Sequence, residues 1–297
     1  MREKMKKIFL ASLIALLCAC VFLPDRAAAE DDPRSLLPER VKKTRILRVG
    51  SQQTYPPIEY RDPKTGQLTG LSAELLEEIA RRLGLTLEWV QCDYGALITG
   101  AKAGRFDLVS GGISDQIERE RELDFVNYMA SGTAILIERK RVPEFWFLKD
   151  FSGCKVAFTF GAKKIEQVVR QASDELLAEG KPPIEMVMLP NTADAKMQLD
   201  LGRVDGYLNE TFTLVHMMKQ TPGRYTMVRY GYYTLTNLAT SWGFAKKDTG
   251  LRDAVQIVAQ KMMDDGTFAE IARKWDLEAG MLPKITINTP LEMPADE

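Results

Sequence analysis

Phe106-Asp107-Leu108-Val109-Ser110-Gly111-Gly112-Ile113-Ser114 reads as a short apolar strand opening into two glycines and a serine, with Arg119 five residues beyond Ser114. Glycines let backbone N–H groups approach an anion, a serine hydroxyl adds a donor, and arginine's planar fork grips a carboxylate with two parallel hydrogen bonds. The set suits a carboxylate. It is not a nucleotide loop, because the spaced Gly-Lys-Ser/Thr is missing. A turn with a surface arginine is the plainer alternative, since Glu118 to Glu122 alternates charges like an exposed helix.

Outward from this strand the chain alternates β-like runs with amphipathic helices. Ile46–Val49 and Leu85–Val90 are strand-like. Between them Ser72 can cap a helix with Leu76, Ile79, Ala80 and Leu83 on one face, ended by Gly84. Leu97, Ile98 and Ala101 mark a short helix stopped by Gly104. Ala134–Ile137 is strand-like, and Glu138-Arg139-Lys140-Arg141 is a solvated charge run at a boundary. The pattern then restarts with strand Cys154–Phe158 and a helix carrying Ile165, Val168, Val169, Ala172 and Leu176. Strands Ile184–Leu189 and Val204–Leu208 flank a helix over Thr192–Leu201, and two core stripes follow, from Leu251 to Met262 and from Phe268 to Trp275.

A βαβαβ pattern in both halves predicts an α/β fold of two lobes with mixed sheets. Lobe 1 is expected over 45–137 plus 241–280 and lobe 2 over 138–240. A leader at 30–44 and a tail at 281–297 are given no role. Ligands in such sheets settle outside the carboxyl ends of strands. That directs attention to the loops after Val49, Val109, Phe158 and Leu208.

The first residues are an address. Arg2, Lys4, Lys6 and Lys7 precede an uncharged apolar run from Ile8 to Leu23, and Ala27-Ala28-Ala29 offers a small-residue cleavage site. The reading is a secretory signal over 1–29 and an exported, periplasmic or extracytoplasmic body. Leu17-Cys18-Ala19-Cys20 also resembles a lipobox, with a lipid on Cys20 as the alternative. Cleavage after Ala29 changes the net charge from −1 to −4, which suits neither nucleic acid nor an anionic membrane surface. His216 is the single histidine, so a histidine-rich metal site is excluded and no cofactor is expected. Cys92 and Cys154 fall in different lobes and lack C-x-x-C spacing, so both are read as buried thiols.

Further candidates stand at the strand ends. Tyr55, stiffened by Pro56 and Pro57, presents a flat face with a hydroxyl, or else is a packed turn tyrosine. Glu210 can pair with a ligand ammonium, or else caps the next helix. Arg119 and Glu210 on opposite sides would clamp a zwitterion.

Leu47-Arg48-Val49-Gly50 with Tyr55-Pro56-Pro57, Gly66-Gln67-Leu68-Thr69-Gly70 before its helix, and Gly104-Arg105-Phe106-Asp107 carry a resemblance. Glu118-Arg119-Glu120-Arg121 before Asp124-Phe125, Gly202-Arg203-Val204-Asp205 and Asp265-Gly266-Thr267-Phe268 continue it. Together they resemble the bacterial extracellular solute-binding proteins of family 3, the polar amino-acid-binding components of ABC importers, from about Arg45 to Trp275. The resemblance implies a periplasmic binding protein type 2-like fold, with two lobes joined by two crossovers that close on ligand like a hinge. It implies an amino acid or related carboxylate as ligand, ABC permease subunits as partners, and a monomer.

By the same resemblance Arg119 holds the α-carboxylate, helped by Ser114 and the backbone at Gly111 and Gly112. Glu210 stands where the family places an aspartate for the α-ammonium, and Tyr55 and Tyr94 sandwich the side chain. Gln52 replaces the aspartate of basic-amino-acid binders, which disfavours a lysine- or arginine-type ligand. The second-lobe loop departs from the family's Gly-Thr-Thr or Gly-Ser-Thr: it reads Phe160-Gly161-Ala162-Lys163-Lys164. Its hydroxyls are lost. An inward Lys163 would attract a second acidic group, whereas an outward one only starts a helix. The family also resembles periplasmic cyclohexadienyl dehydratases, so a lyase using Glu210 as general acid is the competing reading. No Ser/His/Asp triad, Cys/His pair or metal cluster supports an enzyme, and a polar or acidic amino acid carried unchanged is the leading expectation.

Overall fold

The computed structural model describes residues 32–228 and 235–291. The signal segment, Cys20 and the end of the tail lie outside these residues. After α1 (Glu39–Thr44) comes β1 (Ile46–Ser51), then a small antiparallel sheet of β2 (Thr54–Tyr55), β3 (Glu59–Arg61) and β4 (Leu68–Thr69). Helix α2 (Leu71–Leu83) leads to β5 (Thr86–Gln91), and α3 (Leu97–Lys102) leads to β6 (Leu108–Val109). Strands β5, β1 and β6 lie side by side and parallel. Leu75, Leu76, Ile79, Ala80 and Leu83 of α2 are all buried, the leucines and Ile79 each contributing about 1.5–3 kcal/mol on leaving water. Gly84 ends the helix at φ 68°, in the left-handed region.

The helix begins on Gly70 rather than on a Ser72 cap. Ser72 is fully buried, because its hydroxyl is spent inside: it accepts from Trp242 Nε1 at 2.9 Å and meets Ser110 Oγ at 2.9 Å.

After β7 (Ser114–Asp115) and α4 (Ile117–Glu120), β8 (Leu123–Glu138) runs sixteen residues without a break. The second half then adds β9 (Lys155–Thr159), α5 (Lys163–Ala178), β10 (Glu185–Leu189) and α6 (Thr192–Asp200). It continues through β11 (Gly206–Glu210), α7 (Thr211–Gln220) and β12 (Tyr225–Met227). Strand β13 (Thr236–Ala245) returns antiparallel along β8 from Thr133 to Leu123, and helices α8 (Thr249–Asp264) and α9 (Thr267–Lys274) complete the first half. The strand order is β10-β9-β11-β8-β13-β6-β1-β5.

Strands β8 and β13 are therefore the two crossovers. Val126, Tyr128 and Met129 pack in the first core, whereas Ala134 to Ile137 pack in those of the second lobe. The changeover on β8 thus lies between Met129 and Ala134, ahead of the boundary expected at residue 137. Both ends of one strand are apolar because each enters its own core. Of the charged run, Glu138 ends β8 and Arg139–Arg141 forms a single 3-10 turn, in which Arg139 and Lys140 are exposed but Arg141 is part-buried and paired with Asp205 and Glu144.

Residues set aside as a tail from Met281 form β14 (Met281–Ile287), which pairs with β8. Asn288 fastens it, accepting from the Phe125 N–H at 2.8 Å. Both Cys92 and Cys154 are free thiols, but only Cys92 is buried; Cys154, just ahead of β9, is partly exposed.

Candidate ligand-binding site

The carboxyl ends of β1, β6, β9 and β11 converge on one cavity of about 40 Å³, with residues of both lobes in its wall. A single water needs roughly 10–15 Å³ on the same measure, so the closed lobes leave room for only a small group. Gln52, Tyr55 and Tyr94 line it from the first lobe, as do Gly112, Ser114 and Arg119; Glu210 lines it from the second. Those seven were expected from the sequence.

Arg119 is 5% exposed, so the surface-arginine alternative is set aside. Its Nη1 donates to Ser114 O at 3.0 Å and Ser114 Oγ at 2.9 Å, and its Nη2 crosses the cleft to Gly161 O at 3.1 Å. Buried Nε has no partner, and among the described residues Arg119 makes no ion pair. A guanidinium this deep costs several kcal/mol unless an anion joins it. Helix α5 starts beside it without a side-chain cap, and Ala162 at its N-cap with Lys164 and Ile165 of its first turn line the same cavity. A helix start exposes N–H groups and a partial positive charge, which suits the same anion.

Glu210 is 5% exposed and makes no capping bond to α7, so the helix-cap alternative fails. Burial pushes its carboxyl up to about 7; the Tyr55 hydroxyl, Thr240 and the Arg119 charge pull the other way. Thr240 Oγ1 donates to Glu210 Oε2 at 3.2 Å. Tyr55 is 3% exposed and meets Phe212 of α7 edge-on, ring centres 6.3 Å apart. A Cβ on Gly112 would fall 2.0 Å from Tyr55 Cε1, and the residue sits at φ 78°. Gly112→Ala should therefore displace the Tyr55 ring and weaken ligand binding about tenfold or more, measured by titration calorimetry.

Two expected residues take other roles, and one lies elsewhere. Gln52 reaches the cavity but holds the lobes together: Oε1 accepts from Thr192 N and Thr192 Oγ1, both at 3.2 Å, while Nε2 donates to Gly111 O at 3.1 Å. Gly111 thus anchors Gln52 and does not line the cavity. Lys163 is exposed on an outer groove, because it occupies the first position of α5 and points away; Lys164, one position on, reaches the cavity wall. Thr133, Thr159 and Thr192, at strand and helix positions outside that loop, also line the cavity.

Behind the glycine loop lies a buried chain of polar groups. Ser110 Oγ donates to Glu59 Oε2 at 2.5 Å, Ser72 follows, and Trp242 closes it. Burial pushes Glu59 up to about 7 against the hydrogen bonds of Ser110 and Ser51. Glu59, Glu210 and Asp115 are all raised to about 7, so their neutral forms belong to the fold. The unfolded chain ionises such acids above about 4, so stability is lost as pH rises from there through 7. The ligand-free protein should melt at a higher temperature at about pH 5 than at about pH 8, read by calorimetry.

Other contacts show the lobes closed. Lys219 pairs with Asp276 at 3.0 Å, the His216 ring lies 5.9 Å from that of Tyr60, and a Cβ on Gly161 would come within 2.9 Å of Gly95 Cα.

Residues 47–278 match the bacterial extracellular solute-binding proteins, family 3. The chain belongs to this family. Among its relatives, the L-cystine-binding protein TcyA of Bacillus subtilis is 26% identical over 275 residues, 93% of this chain and 97% of that protein. The arginine-binding protein ArgT of Corynebacterium glutamicum is 26% identical over 260 residues, covering 86% and 82%. Of solved structures, an ancestral arginine-binding protein bound to arginine superposes with TM-score 0.70 at 26% identity, over 77% of this chain and 97% of that one. The ancestral amino acid-binding protein AncCDT-1, described as a precursor of cyclohexadienyl dehydratase, superposes with TM-score 0.69 at 25% identity, over 81% and 99%. The two-lobed periplasmic binding protein type 2 architecture is thereby shown, and these relatives are binding proteins rather than enzymes. Among the described residues no helix is long and apolar enough to cross a membrane.

Proposed function

We propose that the cleft captures a small polar α-amino acid and delivers it, unchanged, to the permease of an ABC importer outside the cytoplasm. The single observation that carries this reading is a buried guanidinium with no acidic partner among the described residues, sharing a cavity with a buried carboxyl. Arg119, Ser114 and the start of α5 receive the α-carboxylate; Glu210 receives the α-ammonium; Tyr55 and Tyr94 flank the side chain. Gln52 and Thr192 close the end of the site, which disfavours the long arginine side chain that ArgT is named for. Lys164 at the wall favours an acidic side chain over a basic one.

A thermal-shift screen of the chain from Glu30 against amino acids, dicarboxylates, amines and prephenate-type acids tests this. Ligand at 100 times its dissociation constant adds about 2.7 kcal/mol, a rise of roughly 5–10 °C for a chain this size. A response confined to α-amino acids, with the ligand recovered intact, is expected. Silence across them, or a ligand consumed with time, would overturn the proposal.

A further inference from the structure

Two acidic side chains bracket the segment that presents Arg119, and neither lines the cavity. Asp115 follows Ser114 in β7 and is 1% exposed; Glu120 follows Arg119 at the end of α4. Asp115 Oδ2 accepts from Asn127 Nδ2 at 2.8 Å, and the Thr289 backbone supplies a second donor. The other oxygens, Asp115 Oδ1 and Glu120 Oε1, are buried and meet no donor, although the two carboxyl groups stand within hydrogen-bond reach of each other. An ionised carboxylate only accepts, so two such oxygens satisfy each other only when one carries a proton.

Among the described residues, nothing else on the surrounding elements fills that need. Strand β8 offers the neutral amide of Asn127, β13 pairs through the backbone of Ala239, and the C-terminal segment offers the backbone of Thr289. Arg119, next to Glu120, is turned to Ser114 and Gly161. No lysine or arginine forms an ion pair with either acid among the described residues.

We infer that Asp115 and Glu120 share one proton, in an acid–carboxylate hydrogen bond that closes the Ser114–Glu120 segment and so sets the position of Arg119. The two are positioning residues for the carboxylate grip, and the inference rests on that reading of Arg119. Burial and the neighbouring Glu120 push Asp115 up to about 7, so the proton is held below neutral pH and lost to solvent above it. Two buried negative charges then repel across the turn, and the arginine loses its support.

The test compares wild type with Glu120→Gln and with Asp115→Asn from about pH 6 to about pH 9, reading ligand-free melting temperature and affinity for the responding amino acid. Each amide supplies a permanent N–H donor of almost the same shape. Equal affinity is expected at about pH 6, where the folded protein still holds the proton. At about pH 9 wild type should bind about tenfold more weakly than Glu120→Gln and melt lower, because only it has lost the donor. Asp115→Asn should repeat the pattern from the other side. Parallel pH profiles in all three proteins would overturn the shared proton, as would failure of both near-isosteric variants to fold. Should no amino acid bind, the ligand reading fails by itself, while the melting comparison still decides the proton.

Discussion

Arg119→Ala is expected to weaken ligand binding at least about a hundredfold, while leaving the ligand-free protein as stable as wild type or more so. A charged hydrogen bond contributes about 1.5–3 kcal/mol, and a hundredfold loss corresponds to about 2.7 kcal/mol, so losing one bidentate contact is enough. The ligand's carboxylate would also be left buried without its counter-ion, which adds to the loss. Stability moves the other way, because the ligand-free protein carries the desolvation of an unpaired guanidinium. Lysine should not rescue binding: one ammonium cannot hold Ser114, reach Gly161 across the cleft and grip a carboxylate together. Titration calorimetry and thermal unfolding read both quantities, and an Arg119→Ala protein that binds within threefold of wild type would contradict the assignment.

The second large effect is on pH dependence, through Glu210. With its carboxyl raised to about 7, it is largely protonated below that pH in the ligand-free protein. A bound ammonium favours the ionised form, so binding lowers the pKa and expels a proton. Affinity should therefore fall as pH drops below 7, approaching tenfold per pH unit, with proton release measured by calorimetry in two buffers at about pH 6. Glu210→Gln should bind at least about tenfold more weakly at pH 8 and lose this dependence. A wild type whose affinity is flat between about pH 5 and pH 7 would remove Glu210 from the ammonium site.

Much of this site is legible in the sequence because the groups concerned are fixed by backbone rules. Gly111 and Gly112, both at positive φ, mark the turn where an anion can approach, and Arg119 follows at short range. Glu210 ends a strand whose apolar residues announce it. Lys163 and Lys164 are harder: they differ by one step around a helix, and the phase of its first turn decides which one faces the cavity. Glu59, Asp115 and Glu120 look like ordinary surface acids, and only tertiary burial reveals them. Of the unbroken β8 the sequence shows only Ala134–Ile137, whereas pairing with β13 keeps the strand extended through Ser131 and Gly132 ahead of them. β14 is masked by Pro283 and its polar neighbours; an edge position on β8 tolerates both.

The most direct measurement titrates the chain with the amino acid that responds in the screen, then with its analogue lacking the carboxylate and its analogue lacking the amine. A clamp of Arg119 on one charge and Glu210 on the other predicts that each analogue loses at least about a hundredfold in affinity. An analogue lacking either group that still binds within about threefold would show that the cleft does not hold a zwitterion by its two ends.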